Sequence, residues 1–233
     1  MIPVLAIDGP SGSGKGAVGM AVAERLGWHY LDSGAVYRAL GLAASWAQLA
    51  CDDESRLCAL AGELDLRFVR EAGAAEPQVY VNGRECGVAL RGPEAADAAS
   101  RVAALPGVRQ ALLDRQRAAR RPPGLVADGR DMGSHVFPDA FLKVFLTASP
   151  EVRAERRFNQ LKTKGFGVTL PRLIQEIRER DERDANRAVA PLKPAQGAVV
   201  LDSSALGLQD VIDRVLAMVN SRSQSSFPHR IGD

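Results

Sequence analysis

A chain of 233 residues, 46% hydrophobic and 25% charged, is long enough for one large globular domain or two small ones. Its net charge of +2 is too small to argue for nucleic acid or a membrane surface as a partner, and no apolar run approaches the roughly 20 residues of a membrane span. Cys51, Cys58 and Cys86 are odd in number and have no histidine at ligand spacing, which argues against a disulfide framework or a zinc site.

In chain order, Pro3–Ile7 reads as a short buried strand. A glycine-rich turn follows, then a helical pattern from Lys15 to Leu26 that stops at Gly27. Trp28–Leu31 suits a second strand, with a helix from about Ala35 to Ala50. Leu64–Val69 and Gln78–Val81 are strand candidates joined through Glu71–Pro77; Asn82-Gly83 marks a tight hairpin turn, and Glu85–Leu90 is expected as a third strand. Helices are expected from Glu94 and from about Val108 to Arg120. Leu125–Ala127, Leu142–Leu146 and Ala198–Leu201 are further short runs, nearly all apolar.

Ser149-Pro150-Glu151 sets a capping hydroxyl before a first-turn proline, opening a helix to about Lys164 that Gly165-Phe166-Gly167 stops. The next helix begins near Thr169 or Pro171 and is expected to run through Arg187. Ser221–Asp233 is polar, lacks periodicity and is expected to be disordered. Short apolar strands alternating with helices argue for a doubly wound α/β fold: a mostly parallel sheet covered by helices on both faces, with a small antiparallel β insert.

The turn after the first strand is Gly9-Pro10-Ser11-Gly12-Ser13-Gly14-Lys15, the phosphate-loop pattern G-x-x-x-x-G-K in its strand–loop–helix setting. Glycines let the backbone approach a phosphate closely, successive N–H groups and the helix N-terminus favour its charge, and Lys15 offers a mobile ammonium. The pattern normally continues with Ser or Thr, whose hydroxyl meets magnesium; here Gly16 and Ala17 follow. Together with the absence of D-x-x-G and N-K-x-D, this argues against a guanine-nucleotide switch. Magnesium is then left to the phosphates, to water or to another side chain.

Arginine outnumbers lysine 25 to 5, a bias that a GC-rich genome produces as readily as a phosphate-binding role. Ser33 and Arg38 lie just past the second strand, and Asp128-Gly129-Arg130-Asp131 ends a later one. Strand carboxyl ends are where ligands bind in open α/β sheets. Arg180, Asp184 and Arg187 would share one helix face, which suits either a solvated ion-pair stripe or an anion site. Arg153, Arg156 and Arg157 crowd neighbouring turns with only Glu155 nearby as an acid, and such charges repel unless an anion lies between them. Bringing two phosphates together costs roughly 4 kcal/mol per pair of unit charges at about 4 Å and an effective dielectric near 20. Arginines and magnesium offset that cost.

The stretches IDGPSGSGKG, LDSGAVYR, ADGRDMG, VFPDA and ERDERDANRAVAPL resemble bacterial cytidylate kinases, within the P-loop nucleoside monophosphate kinases. The resemblance implies a P-loop NTPase fold in a single kinase domain over residues 1–220, with a monophosphate-binding insertion at about 34–108 and a lid at about 151–168. It implies transfer of the γ-phosphoryl of ATP to CMP or dCMP with Mg2+, in a cytoplasmic monomer with no nucleic-acid or membrane partner. ATP would be held by Gly9, Pro10, Ser11, Gly12, Ser13, Gly14, Lys15, Gly16 and Ala17. CMP would be held by Ser33, Arg38, Ser100, Arg109, Arg130, Asp131, Arg180, Asp184 and Arg187. Lys15, Arg130, Asp131, Arg153, Arg157 and Arg187 would serve the transfer.

Ser100 and Arg109 have no signal of their own and come only from the resemblance. Ala17 and the pair Ser134-His135 depart from the family pattern. Two other readings remain: a P-loop kinase acting on another small molecule, and a catalytically silent ATP-binding regulator.

Overall fold

A computed structural model describes residues 1–69, 78–163, 165 and 167–226. Arg70 and the whole expected connector Glu71–Pro77, Lys164 before and Phe166 within the expected helix stop, and 227–233 of the tail lie outside the described residues. The strands are β1 (Val4–Asp8), β2 (His29–Asp32), β3 (Leu66–Val69), β4 (Gln78–Val81), β5 (Arg84–Glu85), β6 (Leu125–Gly129), β7 (Leu142–Thr147) and β8 (Val199–Asp202). The α-helices are α1 (Lys15–Leu26), α2 (Ser33–Trp46), α3 (Glu54–Glu63), α4 (Gly87–Arg91), α5 (Pro93–Val102), α6 (Pro106–Arg117), α7 (Pro150–Thr163), α8 (Leu170–Ala185) and α9 (Leu208–Ser226). A single π-type turn covers Met132–Val136.

The chain divides into two compact units. The first holds residues up to Asp32, Arg117–Asn186 and the chain from Ala190. Its five-stranded sheet has the order β2-β6-β1-β7-β8, and every pairing is parallel. All residues of β1 and β6 are buried, as strands covered on both faces require. Val18 and Val22 of α1 meet Val211, Val215 and Val219 of α9 over one face of this sheet. Ala154 and Leu161 of α7 pack with Leu173 and Ile177 of α8 in a separate cluster. Parallel register aligns Asp8 with Gly129 and Asp32 with Asp128, so the carboxyl ends of β1, β2 and β6 form one edge.

The second unit runs from Ser33 to Gln116 with Arg187–Val189. It contains the antiparallel sheet β3-β4-β5 and helices that bury Leu40, Leu57, Val102, Val108 and Leu112. Helix α2 packs directly on α5, and a Cβ at Gly41 would lie 2.8 Å from that of Ala98.

Four expectations from sequence change. The third strand stops after Arg84–Glu85, because Cys86 N closes on Val79 O and Cys86 O then accepts from Leu90 N, turning the chain into α4. Helix α3 was not expected; Asp53 caps it by accepting from Arg56 N at 3.2 Å, while Leu57 and Ala61 face inward. Helix α8 ends at Ala185, before Arg187. There the carbonyl of Asp184, which a continuing helix would offer to residue 188, accepts from Leu192 N at 2.8 Å. Residues 221–226, expected to be disordered, continue α9, where Ser223 is half-buried and its Oγ donates back to Val219 O at 2.9 Å. Among the described residues no helix is long and apolar enough to cross a membrane.

Candidate active site

The phosphate loop joins β1 to α1. Gly9, Gly12 and Gly14 have φ of 154°, 77° and 93°, values that side chains rarely tolerate. A Cβ on Gly9 would stand 2.0 Å from Leu146 O, and one on Gly12 2.9 Å from Arg153 O. Gly14 precedes the first turn of α1, whose free N–H groups and dipole favour an anion. Lys15 is buried and donates through Nζ to Pro10 O at 3.1 Å. Burial pushes its ammonium down to about 7, helped by the charges of Arg130 and Arg180 and opposed by Asp128 and Asp32. Ser13 Oγ is buried with no hydrogen-bond partner among the described residues. An anion in the loop would restore the proton of Lys15 and give Ser13 an acceptor.

Of two acids at the strand ends, Asp8 was not singled out from sequence, and Asp128 only as the first residue of the charged stretch that ends its strand. Asp8 closes β1; its carboxylate accepts from Met132 N at 2.7 Å and from Gly133 N at 2.8 Å. It thereby holds the π-type turn that follows Asp131. Burial pushes Asp8 up to about 6, although the two amides pull the other way. Asp128 accepts a 2.6 Å hydrogen bond from Tyr30 OH. A Cβ on Gly16 would lie 3.4 Å from Asp128 Oδ2 and 3.7 Å from Tyr30 OH. A carboxylate thus stands beside the place where the usual hydroxyl would project. A charged residue ending an otherwise apolar strand was the signal available for both acids.

Arg130 donates through Nε to Asp184 Oδ2 at 3.0 Å and through Nη1 to Gly129 O at 3.3 Å. Arg180 Nε stands 3.9 Å from the same Asp184 oxygen, so the expected one-turn spacing holds for this pair. It does not extend to Arg187, which lies past the helix. Arg153 is not confined to Glu155 for an acid: it makes a two-pronged pair with Asp181. Arg156 reaches the carbonyls of Ser13 and Ser203. Arg157 donates to Gln160 Oε1 at 2.8 Å. The first unit therefore gathers Lys15, Arg130, Asp131, Arg180 and Asp184 about the sheet edge.

In the second unit, Ser33 opens α2 and its hydroxyl donates to Gln116 Oε1 at 2.8 Å. Arg38 sits farther along α2. Ser100 of α5 is buried. Arg109 of α6 is buried, donates to Ala103 O at 3.3 Å and has its guanidinium carbon 5.9 Å from the Tyr37 ring centre. A buried arginine beside an aromatic ring offers a planar set of donors, and its buried state is what the sequence alone does not show. Among the described residues no group of three or more His, Cys, Asp or Glu side chains is gathered to hold a metal ion.

The cytidylate kinase family model matches residues 5–221. The chain is 56% identical over 226 residues to a cytidylate kinase of Methylococcus capsulatus, covering 94% of this chain and 98% of that one. It is 54% identical over 217 residues to that of Aeromonas hydrophila, covering 93% and 94%. With the cytidylate kinase of Shewanella sediminis it shares 50% identity over 223 residues, covering 96% and 97%.

Proposed function

The chain belongs to the cytidylate kinase family, and from that premise we infer that it transfers the γ-phosphoryl of ATP to CMP or dCMP, giving ADP and CDP or dCDP. The observation that carries the donor half is the buried Lys15, its charge disfavoured where it stands, at a loop of left-handed glycines. Gly9, Pro10, Ser11, Gly12, Ser13, Gly14, Lys15, Gly16 and Ala17 are assigned to the ATP phosphates. Ser33, Arg38, Ser100, Arg109, Arg130, Asp131, Arg180, Asp184 and Arg187 are assigned to CMP. A carboxylate and a guanidinium suit the donor and acceptor edge of cytosine, which supports Asp131 and Arg109 in that role.

Transfer needs no covalent intermediate. Two anionic groups must be held in line, and fixed positive charge must offset their repulsion as it shifts toward the leaving oxygen. Lys15, Arg130, Arg157 and Arg187 are assigned that charge. Helix α7 and the chain to about residue 168 would form the lid that excludes water. Magnesium would be held by phosphate oxygens together with Asp128, a hard oxygen donor supported by Tyr30. When bound it supplies charge neutralisation at the phosphates. The enzyme is expected to act as a cytoplasmic monomer.

The test is ADP release from ATP with CMP, dCMP, UMP or AMP, each with and without magnesium. CMP and dCMP should be the preferred acceptors. Preference for AMP overturns the cytosine assignment, and ATP binding with no CDP formed would favour the silent regulator.

A further inference from the structure

Arg153 and Arg156 stand three residues apart on α7, so their side chains leave the same face of the helix. That face meets the phosphate loop. Arg153 Nη1 donates to Ser11 O at 3.0 Å, and Arg156 Nη1 donates to Ser13 O at 3.2 Å. Between these two carbonyls lies Gly12, where a Cβ would come within 3.0 Å of Arg153 Cβ. Helix and loop are therefore in direct contact.

Each guanidinium is also fixed from behind. Arg153 Nε donates to Ala148 O at 2.9 Å, and its two terminal nitrogens grip the carboxylate of Asp181 on α8. Arg156 donates to Ser203 O at 2.7 Å and to Ser203 Oγ at 3.0 Å. Arg153 is buried. An arginine held at both ends is a strut, and its hydrogen bonds go to protein atoms.

The geometry of the peptide unit gives these struts a purpose. In a trans peptide the carbonyl and the following N–H point in opposite directions. Holding Ser11 O and Ser13 O toward α7 turns the N–H groups of Gly12 and Gly14 away from it. We propose that Arg153 and Arg156 are positioning residues for the phosphate loop: they grip its outward carbonyls and so aim the amides of Gly12 and Gly14 at the bound phosphate. Asp181 ties that aim to α8, the helix carrying Arg180 and Asp184. Arg153 thus acts through the loop and not as a mobile group on the transferred phosphoryl. The inference rests on the reading that this loop holds the phosphates of ATP.

The experiment compares wild type with Arg156→Leu, Arg156→Lys and Asp181→Asn by calorimetric titration with ATP, ADP, adenosine and CMP, alongside Tm. Arg156→Leu should weaken ATP and ADP about tenfold, the loss of one or two charge-assisted bonds that orient the loop. Adenosine and CMP should change less than about twofold. Arg156→Lys should recover part of the loss, because an ammonium reaches one carbonyl but not two. Asp181→Asn should give a smaller loss in the same direction, and it carries the test alone if Arg156→Leu does not fold. Folded variants with wild-type ATP affinity, or equal losses for ATP and CMP, would overturn the proposal. A wild-type protein that does not bind ATP would instead overturn the reading on which it rests.

Discussion

Arg130 donates through Nε to a carboxylate oxygen of the fully buried Asp184, 3.0 Å away, and so ties the end of β6 to the last turn of α8. The Arg180 guanidinium faces the same oxygen. Asp184→Ala would leave two cations facing each other without their acceptor. Breaking a buried pair by removing one partner costs about 3–5 kcal/mol. Urea unfolding should show a loss of that order, with a smaller loss for Asp184→Asn, and CMP turnover should fall in both. An Asp184→Ala protein with wild-type stability would show that the pair does not hold α8 in place.

Lys15 predicts a proton-linked binding reaction. In the ligand-free protein its ammonium titrates near 7, below its ordinary 10.5. Between those two values the unfolded chain holds a proton that the folded chain lacks. Lys15 therefore makes the ligand-free protein gain stability as pH rises from about 7 toward 10.5. A bound phosphate returns the proton. Calorimetry at pH 8 in buffers of different ionisation enthalpy should record uptake of most of one proton per ATP, and at pH 6 almost none from this group. Lys15→Met should abolish the uptake and lower turnover roughly 10²–10³-fold. Equal uptake in the variant would assign the proton elsewhere.

The missing hydroxyl at position 16 predicts dependence on Asp128. Asp128→Asn should raise the magnesium concentration needed for half-maximal turnover several-fold, with little effect on metal-free ATP binding. Gly16→Ser meets only ordinary contacts, the nearest being Asp128 Oδ2 at 3.4 Å. It should fold and, by replacing a helical glycine, gain about 0.5 kcal/mol. Turnover measured against magnesium would expose an unchanged requirement in Asp128→Asn, which would remove Asp128 from the metal.

Gly12 predicts a loss localised to the loop. Its φ of 77° and the 2.9 Å approach of Arg153 O leave no room for a methyl group. Gly12→Ala should cost about 1–2 kcal/mol for the left-handed backbone alone and should weaken ATP more than CMP. Wild-type ATP affinity in this variant would mean that the loop adapts more freely than its contacts with α7 imply.

The parallel sheet was legible because Val4–Ile7 and Leu125–Ala127 are apolar runs with no alternation, a pattern that burial on both faces imposes, and Leu142–Leu146 is nearly all apolar, broken only by Lys143. The phosphate loop was legible because its glycines are required by backbone angles that no other residue adopts cheaply. Cys86–Leu90 misled because its apolar residues suit a short strand as well as a helical turn, and a hydrogen bond from Leu90 N to Cys86 O decides between them. The spacing of Arg187 from Asp184 is helical and suits a continued α8; the carbonyl that ends the helix is taken by Leu192, which no local pattern announces. Asp181 as the counter-charge of Arg153 lies 28 residues away, on another helix. Ser100 and Arg109 came through resemblance alone, because their burial depends on how α5 and α6 pack.

β1 lies at the centre of its sheet, with β6 on one side and β7 on the other. Its amides are bonded on both flanks and shielded above and below, so they should exchange with deuterium only when the whole unit opens. The glycine turn hangs from the part of the molecule that comes apart last. Heat or denaturant should therefore abolish the nucleotide grip in one cooperative step, with no intermediate that has lost the turn and kept the sheet.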